Sequence, residues 1–439
     1  MSIASALAVN EVEGFRSSKE AALPLLSFVL VGQTASDPAA TARKALDAVL
    51  AGKYADFTVL GTEDVKKDLN EAALTKIGAQ LKTFGAVEKV DNPQVSKIGP
   101  NTAFVFPVKF AQQSINVRMM INKDGQVSQF IILQGEVPWQ RPAYSKLDTF
   151  TERQVTLGEG DWKLPGTITM PNGAGPFPAI VLVHGSGPND RDETVGGAKV
   201  FKDLAEGLAS RGIAVLRYEK RTKLYGPKVA AMKMFTLHDE TVEDALKGVA
   251  LMRTQQGVDP KRVFVLGHSL GGYAAPRIGQ EDPQIAGFIL MAANARHLED
   301  LVVEQVQTLG GTNKALENAK AIQSKVKSLE PGDEASPAVL GAPPTYWLDL
   351  KDYDPVADAA KLTMPMLILQ GERDYQVTLK DYELWKTGLA RKQGVVMKSY
   401  PALNHLFVAG EGKSSNTEYL KPGHVAPEVI EDIAAFVKK

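Results

Sequence analysis

The sequence predicts two domains, a small α+β domain followed by a larger α/β domain with a mostly parallel sheet. Three observations lead to this prediction. The chain has 439 residues, more than one ordinary domain. Helical periodicity precedes strand alternation in its first third, and short apolar runs alternate with helical segments in the remainder. We place the boundaries at residues 1–36 for an N-terminal segment, 37–143 for the small domain and 144–439 for the large one.

The N-terminal segment contains the apolar run 21–31 (AALPLLSFVLV). This run is shorter than the roughly 20 residues that cross a bilayer as a permanent helix, so no stable membrane span is expected. Its length suits a cleaved export signal, with Arg16 and Lys19 upstream, although three glutamates between residues 11 and 20 oppose that interpretation. We therefore expect a periplasmic or secreted protein; the alternative is a cytoplasmic protein with a loose N-terminal arm.

The small domain reads as helices followed by strands. Apolar residues recur at helical spacing in 38–52 and 71–84, and a glycine ends each segment. Period-two alternation predicts strands at 103–110, 114–121 and 126–133, with the hairpin signal Asn-Lys-Asp-Gly between the last two. Because this domain carries no histidine, cysteine or clustered acid, we assign it no chemistry.

The large domain follows a proline-containing linker at 138–146. Strands are predicted at 155–157, 166–170, 179–183, 213–216, 263–266, 287–291 and 366–369, and helices at 202–210 and 241–254. Short apolar strands separated by helices are typical of a parallel sheet covered on both faces. The segment 296–352 interrupts this alternation with a helical pattern over 301–329 and a stretch rich in proline, glycine and alanine. We expect it to form a cap over a site at the sheet.

Charge and cysteine content exclude several classes of function. Lysine plus arginine total 50 against 51 acidic residues, a formal net charge of −1, so nucleic acid is not an expected partner. The absence of cysteine excludes thiolate zinc sites and cysteine nucleophiles. We expect a small-molecule substrate and neither cofactor nor metal; composition does not bear on the oligomeric state.

The strongest motif is Gly267-His-Ser-Leu-Gly271, directly after a predicted strand and before a predicted helix. A serine on such a sharp turn adopts strained backbone angles, and its neighbours must be small for the turn to close. The motif therefore predicts Ser269 as a nucleophile, with an ordinary glycine-rich turn as the alternative.

A serine nucleophile needs a histidine base and an acid that orients it. Three of the six histidines follow the serine; His297 begins the insertion, which leaves His405 and His424 for the chain order serine, acid, histidine. His405 lies in a loop after a strand-like run, whereas His424 opens the closing helix, so we predict His405 as the base. Asp374, just after the strand 366–369, is the predicted acid, with Glu372 as its nearest rival.

The turn His184-Gly-Ser-Gly ends another buried strand and exposes backbone N–H groups. We predict that the N–H groups of Ser186 and Leu270 form an oxyanion hole. A phosphate cradle is disfavoured because no nucleotide-binding glycine pattern follows. Three charged residues stand beside this turn and either recognise a charged substrate or pin the loop, and we favour the second role. They are Asp190, Arg191 and Asp192.

With these motifs in place, the chain resembles bacterial α/β-hydrolases regarded as carboxylesterases, related to the serine aminopeptidase-like and dienelactone hydrolase-like branches. The resemblance rests on the segments HGSGPNDRDET (184–194), GIAVLRYEKRT (212–222), GHSLGG (267–272), GERD (371–374) and Asn404-His405. It implies an α/β-hydrolase fold with a helical cap, preceded by a small domain of undefined role. It also implies catalytic roles for Ser269, Asp374 and His405, and short-chain acyl esters as substrates.

The leading functional hypothesis is ester hydrolysis through an acyl-enzyme. A serine peptidase or amidase is the first alternative, and in an aminopeptidase Glu299, Asp300 and Glu304 would bind the free amine. A non-catalytic binding protein on a hydrolase scaffold is the second alternative. Serine at the elbow excludes dehalogenases and epoxide hydrolases, which need aspartate there, and cysteine-dependent lactone hydrolases.

Overall fold

The structure, a computed structural model, describes residues 37–98, 100–134 and 139–439. The chain divides near residue 138 into two compact units, and each is described by itself. The segment 1–36, predicted to carry an export signal, lies outside the described residues, so export stays a prediction. Among the residues described, the structure contains no helix with the length and apolar character needed to cross a bilayer.

In the described part of the first unit, four helices pack on a five-stranded antiparallel sheet. Its elements are α1 (Pro38–Leu50), α2 (Tyr54–Leu60), α3 (Glu63–Asp68), α4 (Glu71–Lys82), β1 (Val87–Val90), β2 (Gln94–Ile98), β3 (Asn101–Phe110), β4 (Ser114–Ile121) and β5 (Val127–Gln134). The strand order is β1-β3-β4-β5, with β2 also paired to β3. Every second residue of β4 is buried, which places one apolar face of the sheet against the helices.

Two strands of this sheet, β1 and β2, are absent from the sequence prediction. Their sequences, VEKV and QVSKI, mix charged and polar residues with few apolar ones. Val87 and Val95 are 42% and 58% exposed, so these strands contribute little to the core. Backbone pairing with β3 forms them, and pairing of this kind leaves no hydrophobic pattern in the sequence.

The second unit contains an eight-stranded sheet between layers of helices. The strands of this unit, of which all but β9 and β10 belong to the large sheet, are β6 (Phe150–Leu157), β7 (Leu164–Pro171), β8 (Phe177–Val183), β9 (Thr194–Val195), β10 (Ala198–Lys199), β11 (Ala214–Tyr218), β12 (Val258–His268), β13 (Phe288–Met291), β14 (Met366–Gly371) and β15 (Val395–Tyr400). Its helices are α5 (Val200–Ala209), α6 (Arg221–Leu224), α7 (Gly226–Ala230), α8 (Glu243–Arg253), α9 (Leu270–Glu281), α10 (Leu298–Thr308), α11 (Asn313–Lys327), α12 (Pro344–Leu350), α13 (Pro355–Lys361), α14 (Leu379–Gly388) and α15 (Pro427–Lys438). A π-helix (His238–Val242) leads into α8, and β9 and β10 form a separate hairpin.

The strand order of the large sheet is β15-β14-β13-β12-β8-β11-β7-β6. Pairing is parallel from β11 to β15, and the antiparallel strands β6 and β7 close one edge. Neighbouring residues on one strand enter opposite cores; Val181 packs on one face and Leu182 on the other, both fully buried. Burial on both faces explains why these strands read as continuous apolar runs, and it confirms the predicted fold class.

The segment between β13 and β14 holds four helices, α10, α11, α12 and α13. The continuous helical pattern predicted over 301–329 is wrong in one respect, because the chain forms two helices there. Gly310, with φ +69°, and Gly311 separate them, since glycine adopts this backbone conformation without a steric cost.

Candidate active site

Ser269 occupies the sharp turn between the end of β12 and the start of α9, with φ 52° and ψ −116°. Positive φ in a residue other than glycine costs about 1–3 kcal/mol and persists only where the surroundings enforce it. A Cβ at Gly267 would lie 2.3 Å from the carbonyl of Gly271, and a Cβ at Gly271 would lie 2.2 Å from the Val183 oxygen. The strained serine and its two obligatory glycines are the local geometry that the motif predicts.

Asp374 and His405 form a buried pair at the same edge of the sheet. Asp374 follows β14 and His405 follows β15, and each is 5% exposed or less. His405 Nδ1 lies 2.6 Å from Asp374 Oδ2, and the other carboxylate oxygen accepts the N–H groups of Gln376 and Val377 at 2.7 and 3.0 Å. These bonds fix the carboxylate, which in turn orients the imidazole.

The turn that carries Ser269, called the elbow below, is in direct contact with the loop that carries His405. His268 Nε2, one residue before the serine, lies 3.0 Å from the carbonyl oxygen of His405, and the two imidazole rings are 4.8 Å apart. Within the described residues, Ser269 Oγ forms no hydrogen bond to His405. Hydrogen bonds between nucleophile and base are often long in ligand-free enzymes and tighten when substrate binds. The structure thus brings the predicted Asp–His pair together and places it beside the serine turn.

The loop after β8 presents backbone N–H groups beside Ser269. Gly185 N–H already donates to Glu193 Oε1 at 2.7 Å, so it is not free to bind an oxyanion. Neither Ser186 N–H nor Leu270 N–H has a hydrogen-bond partner among the described residues. Ser186 and Leu270 also line the same cavity, as an oxyanion hole requires.

Hydrogen bonds and an ion pair hold this loop in place. The Gly185 carbonyl accepts Lys220 Nζ at 2.8 Å and Asn189 Nδ2 at 3.1 Å. Asp190 accepts two backbone N–H groups of its own turn, and Arg191 pairs with Glu219 at 2.8 Å. The charges next to the loop therefore anchor it, which is the role that the sequence favoured.

Glu193 is a residue of the site that sequence reasoning missed. It is 2% exposed, has φ 47°, and its Oε2 lies 3.0 Å from Nδ1 of the buried His268. Burial by itself lowers the pKa of His268, but the Glu193 carboxylate, together with the His405 carbonyl and Asp374, raises it above 6.5. Burial by itself raises the pKa of Glu193, but His268, together with His184 and the Gly185 N–H, lowers it below 4.5. The two form a buried ion pair behind the elbow; a glutamate in a polar run carries no sequence signal of this.

Two other histidines near the sheet edge have structural roles. His184 is buried, its pKa is lowered to about 4 mainly by burial, and its Nε2 lies 3.0 Å from the Asp190 carbonyl oxygen. His424, the alternative base in the sequence, lies 3.2 Å from the Asp203 carboxylate. Since Asp374 pairs with His405, the geometry favours His405 as the base.

A cavity of about 870 Å³ opens beside the two free N–H groups. Part of its wall comes from the loop after β8 that carries Ser186, called the oxyanion loop below. The rest comes from the segment between α7 and the π-helix and from the insertion between β13 and β14. The lining includes Ser186, Leu270, Val229, Met232, Phe235, Glu240, Leu298, Leu340, Ala342, Tyr346 and Trp347. The insertion between β13 and β14, for which the sequence predicts a cap, therefore forms part of the wall of this cavity.

A serine elbow on a parallel sheet, with an acid and a histidine after the following strands, defines a hydrolase-type site of the α/β-hydrolase fold. The chain belongs to the alpha/beta hydrolase family; the sequence model of this family matches residues 180–413. It is 41% identical over 389 residues to Esterase EstD of Thermotoga maritima, a match that covers 86% of this chain and 90% of the relative.

Two solved structures were also compared with this chain. A Pyrococcus furiosus esterase has a TM-score of 0.44 and 16% identity, covering 70% of this chain and 95% of its own. A hyperthermophilic esterase from the archaeon Pyrobaculum calidifontis has a TM-score of 0.44 and 18% identity; the match covers 66% of this chain and 85% of that esterase.

Proposed function

We propose that the protein is a serine-dependent carboxylesterase in which Ser269, His405 and Asp374 act as the catalytic triad. One observation carries this proposal: the strained serine, the buried Asp–His pair and two unpaired N–H groups meet at one edge of the sheet. The similarity to Esterase EstD supports ester hydrolysis as the reaction.

The reaction proceeds in two halves. His405 Nε2 takes the proton of Ser269 Oγ as that oxygen attacks the ester carbonyl carbon, and the carbonyl oxygen becomes an oxyanion. The imidazolium then gives this proton to the departing alcohol, and the C–O bond to the alcohol breaks. Water attacks the resulting acyl-enzyme in the same way, with His405 as base and then acid, and releases the carboxylic acid and the free serine.

Each supporting residue has a defined task in this scheme. Asp374 keeps the Nδ1–H tautomer of His405, so that Nε2 faces the serine, and stabilises the imidazolium that forms. Ser186 and Leu270 donate their N–H groups to the oxyanion; loss of one such donor typically costs about 3 kcal/mol of transition-state stabilisation.

The cavity gives no support to an aminopeptidase. Glu304 is held by Arg296 and Lys380, and Asp300 pairs with Lys327. Neither of these acids nor Glu299 is among the described residues that line the cavity.

The carboxylates that do line the cavity, within the described part of the chain, are Glu240 and Glu334. Glu240 accepts Lys220 Nζ at 2.6 Å and the Tyr346 hydroxyl at 2.7 Å, and Glu334 is exposed. The described lining of the cavity therefore contains no unpaired buried carboxylate that could bind a substrate amine.

Hydrolysis of p-nitrophenyl butyrate by the full chain tests the proposal. We expect Ser269→Ala to lower kcat by about 10⁵-fold or more, as in a comparable triad. The matched control is Ser328→Ala, on an exposed serine at the end of α11, which should retain full activity. A fluorophosphonate probe should label the wild type and the control but not Ser269→Ala. Substantial turnover by Ser269→Ala would overturn the assignment, and faster cleavage of aminoacyl anilides than of esters would point to a peptidase.

A further inference from the structure

The cavity beside the oxyanion donors is larger than a short acyl group needs. Its volume of about 870 Å³ is near the upper end of the 300–1,000 Å³ typical of sites that enclose drug-sized ligands. An acetyl or butyryl group would leave most of it to water.

The buried part of the cavity wall is apolar and partly aromatic. Phe235, Leu298 and Trp347 are each 5% exposed or less, although they face this space. The rings of Phe235 and Tyr346 stack at 6.4 Å, and the Trp347 indole N–H is bonded to the Val339 carbonyl at 3.2 Å. The polar atoms of these rings are thus engaged on the protein side, and what remains toward the cavity is hydrophobic surface.

Among the described residues of this wall, the one buried charge is compensated. Glu240 lies on the π-helix before α8 and binds Lys220, which also holds the Gly185 carbonyl of the oxyanion loop. Tyr346 of the cap donates to the second Glu240 oxygen. The exposed lining residues Lys233 and Glu334 lie where the cavity meets solvent. The described residues therefore offer a charged ligand group no free counter-charge in the interior of the cavity.

From this geometry, and building on the esterase activity proposed above, we infer that the preferred substrates are esters with a bulky, uncharged apolar group, such as a medium-length alkyl chain or an aryl ring, which fills the cavity under the cap. The resemblance to short-chain esterases implies the opposite preference. The apolar group that fills the cavity could belong to the acid or to the alcohol part of the ester, and the experiment separates these two cases.

The test measures kcat/KM for two ester series with the full chain. The first series varies the acid, from p-nitrophenyl acetate to octanoate; the second varies the alcohol, from ethyl acetate to octyl and 2-phenylethyl acetate, followed by acid release. Each fully buried methylene contributes about fourfold to affinity. With partial burial, we expect the largest ester to exceed the smallest by at least tenfold in one series, which identifies the side that enters the cavity.

Two variants that fill the cavity from different segments of its wall extend the test. Ala342→Phe, on the cap, and Met232→Trp, after α7, should each lower the large-to-small ratio by about tenfold. This ratio is measured for two substrates on one sample, so a partly folded variant does not distort it. Leu147→Ala, on a side chain that is 58% exposed and outside the cavity lining, should keep the wild-type ratio within twofold.

The outcomes distinguish this inference from the proposed function. Failure to hydrolyse any ester, together with absence of fluorophosphonate labelling at Ser269, overturns the esterase assignment and with it the inference. Efficient hydrolysis of the acetates, with a flat or falling trend in both series, overturns only the inference. A large-to-small ratio of kcat/KM that is unchanged in both Ala342→Phe and Met232→Trp likewise overturns only the inference.

Discussion

Replacing Glu193 with glutamine tests whether a buried charge holds the oxyanion loop against the serine elbow. Glu193 accepts Gly185 N–H at 2.7 Å and faces His268 Nδ1 at 3.0 Å, while His268 Nε2 reaches the His405 carbonyl at 3.0 Å. One carboxylate thus connects the loop that carries the oxyanion donor to the elbow, and through His268 to the loop of the base. Glutamine keeps the size and one acceptor oxygen but removes the charge.

The sign of the pH dependence follows from the two pKa shifts. The folded-state pKa of His268 lies above 6.5, so its contribution to stability is complete below pH 6.5 and is lost as the pH rises through that folded pKa. The pKa of Glu193 lies below 4.5, so its contribution is complete above pH 4.5 and is lost as the pH falls through its folded pKa. The pair is therefore most stabilising between about pH 4.5 and 6.5.

Other ionisable groups act on the same pair. Asp374 adds to the rise in the pKa of His268, and His184 adds to the fall in the pKa of Glu193. Neither of these two residues is changed by the substitution, so the difference in stability between wild type and variant reports on the Glu193 carboxylate.

The expected magnitude follows from the burial of the pair. Both side chains are at most 4% exposed, and breaking a buried ion pair costs about 3–5 kcal/mol. Because the amide retains the Gly185 bond, we expect a loss near the lower limit, about 3 kcal/mol of unfolding free energy at pH 6, and a smaller loss at pH 9. A slight displacement of the Ser186 N–H, costing about 1.4 kcal/mol in the transition state, would lower kcat about tenfold with little change in KM.

Urea unfolding at pH 6 and pH 9, with kcat and KM for p-nitrophenyl butyrate, measures both effects. The matched control is Glu159→Gln, on an exposed glutamate without an ion pair within the described residues, which should change neither quantity. A double-mutant cycle with His268→Gln should give a coupling energy that falls with rising pH. A destabilisation that is the same at both pH values, or a Glu193→Gln variant with normal stability and kcat, would refute the role assigned to this charge.

Three further substitutions test the site and its elbow. Asp374→Asn should lower kcat about 10⁴-fold, because the amide imposes the wrong tautomer on His405; a loss below tenfold in steady-state kinetics would exclude Asp374 as the orienting acid. Gly271→Ala should destabilise the protein by about 3 kcal/mol or more in urea unfolding, because the added methyl would lie 2.2 Å from the Val183 oxygen. Gly226→Ala, where a Cβ meets no atom within 4 Å, should change stability by less than about 1 kcal/mol; equal effects at the two glycines would contradict the steric argument.

The parallel sheet and the serine elbow were predictable because their causes lie in short stretches of chain. Burial on both faces makes each central strand an apolar run, and the steric demands of one turn require glycine at 267 and 271. The order of the strands in the chain then places Asp374 and His405 at the correct edge. Exposed strands such as β1, which form by backbone pairing alone, escaped this reasoning.

Only the tertiary structure decided which groups meet across long separations in the chain. The pairing of Glu193 with His268, the commitment of Gly185 N–H to Glu193, and the volume under the cap all depend on how distant segments pack. A charge in the sequence shows neither its burial nor its partner, because both arise from the fold as a whole. The sequence by itself therefore determined the class of chemistry and where the nucleophile stands, whereas packing decided how the oxyanion loop is held and what size of substrate the site can enclose.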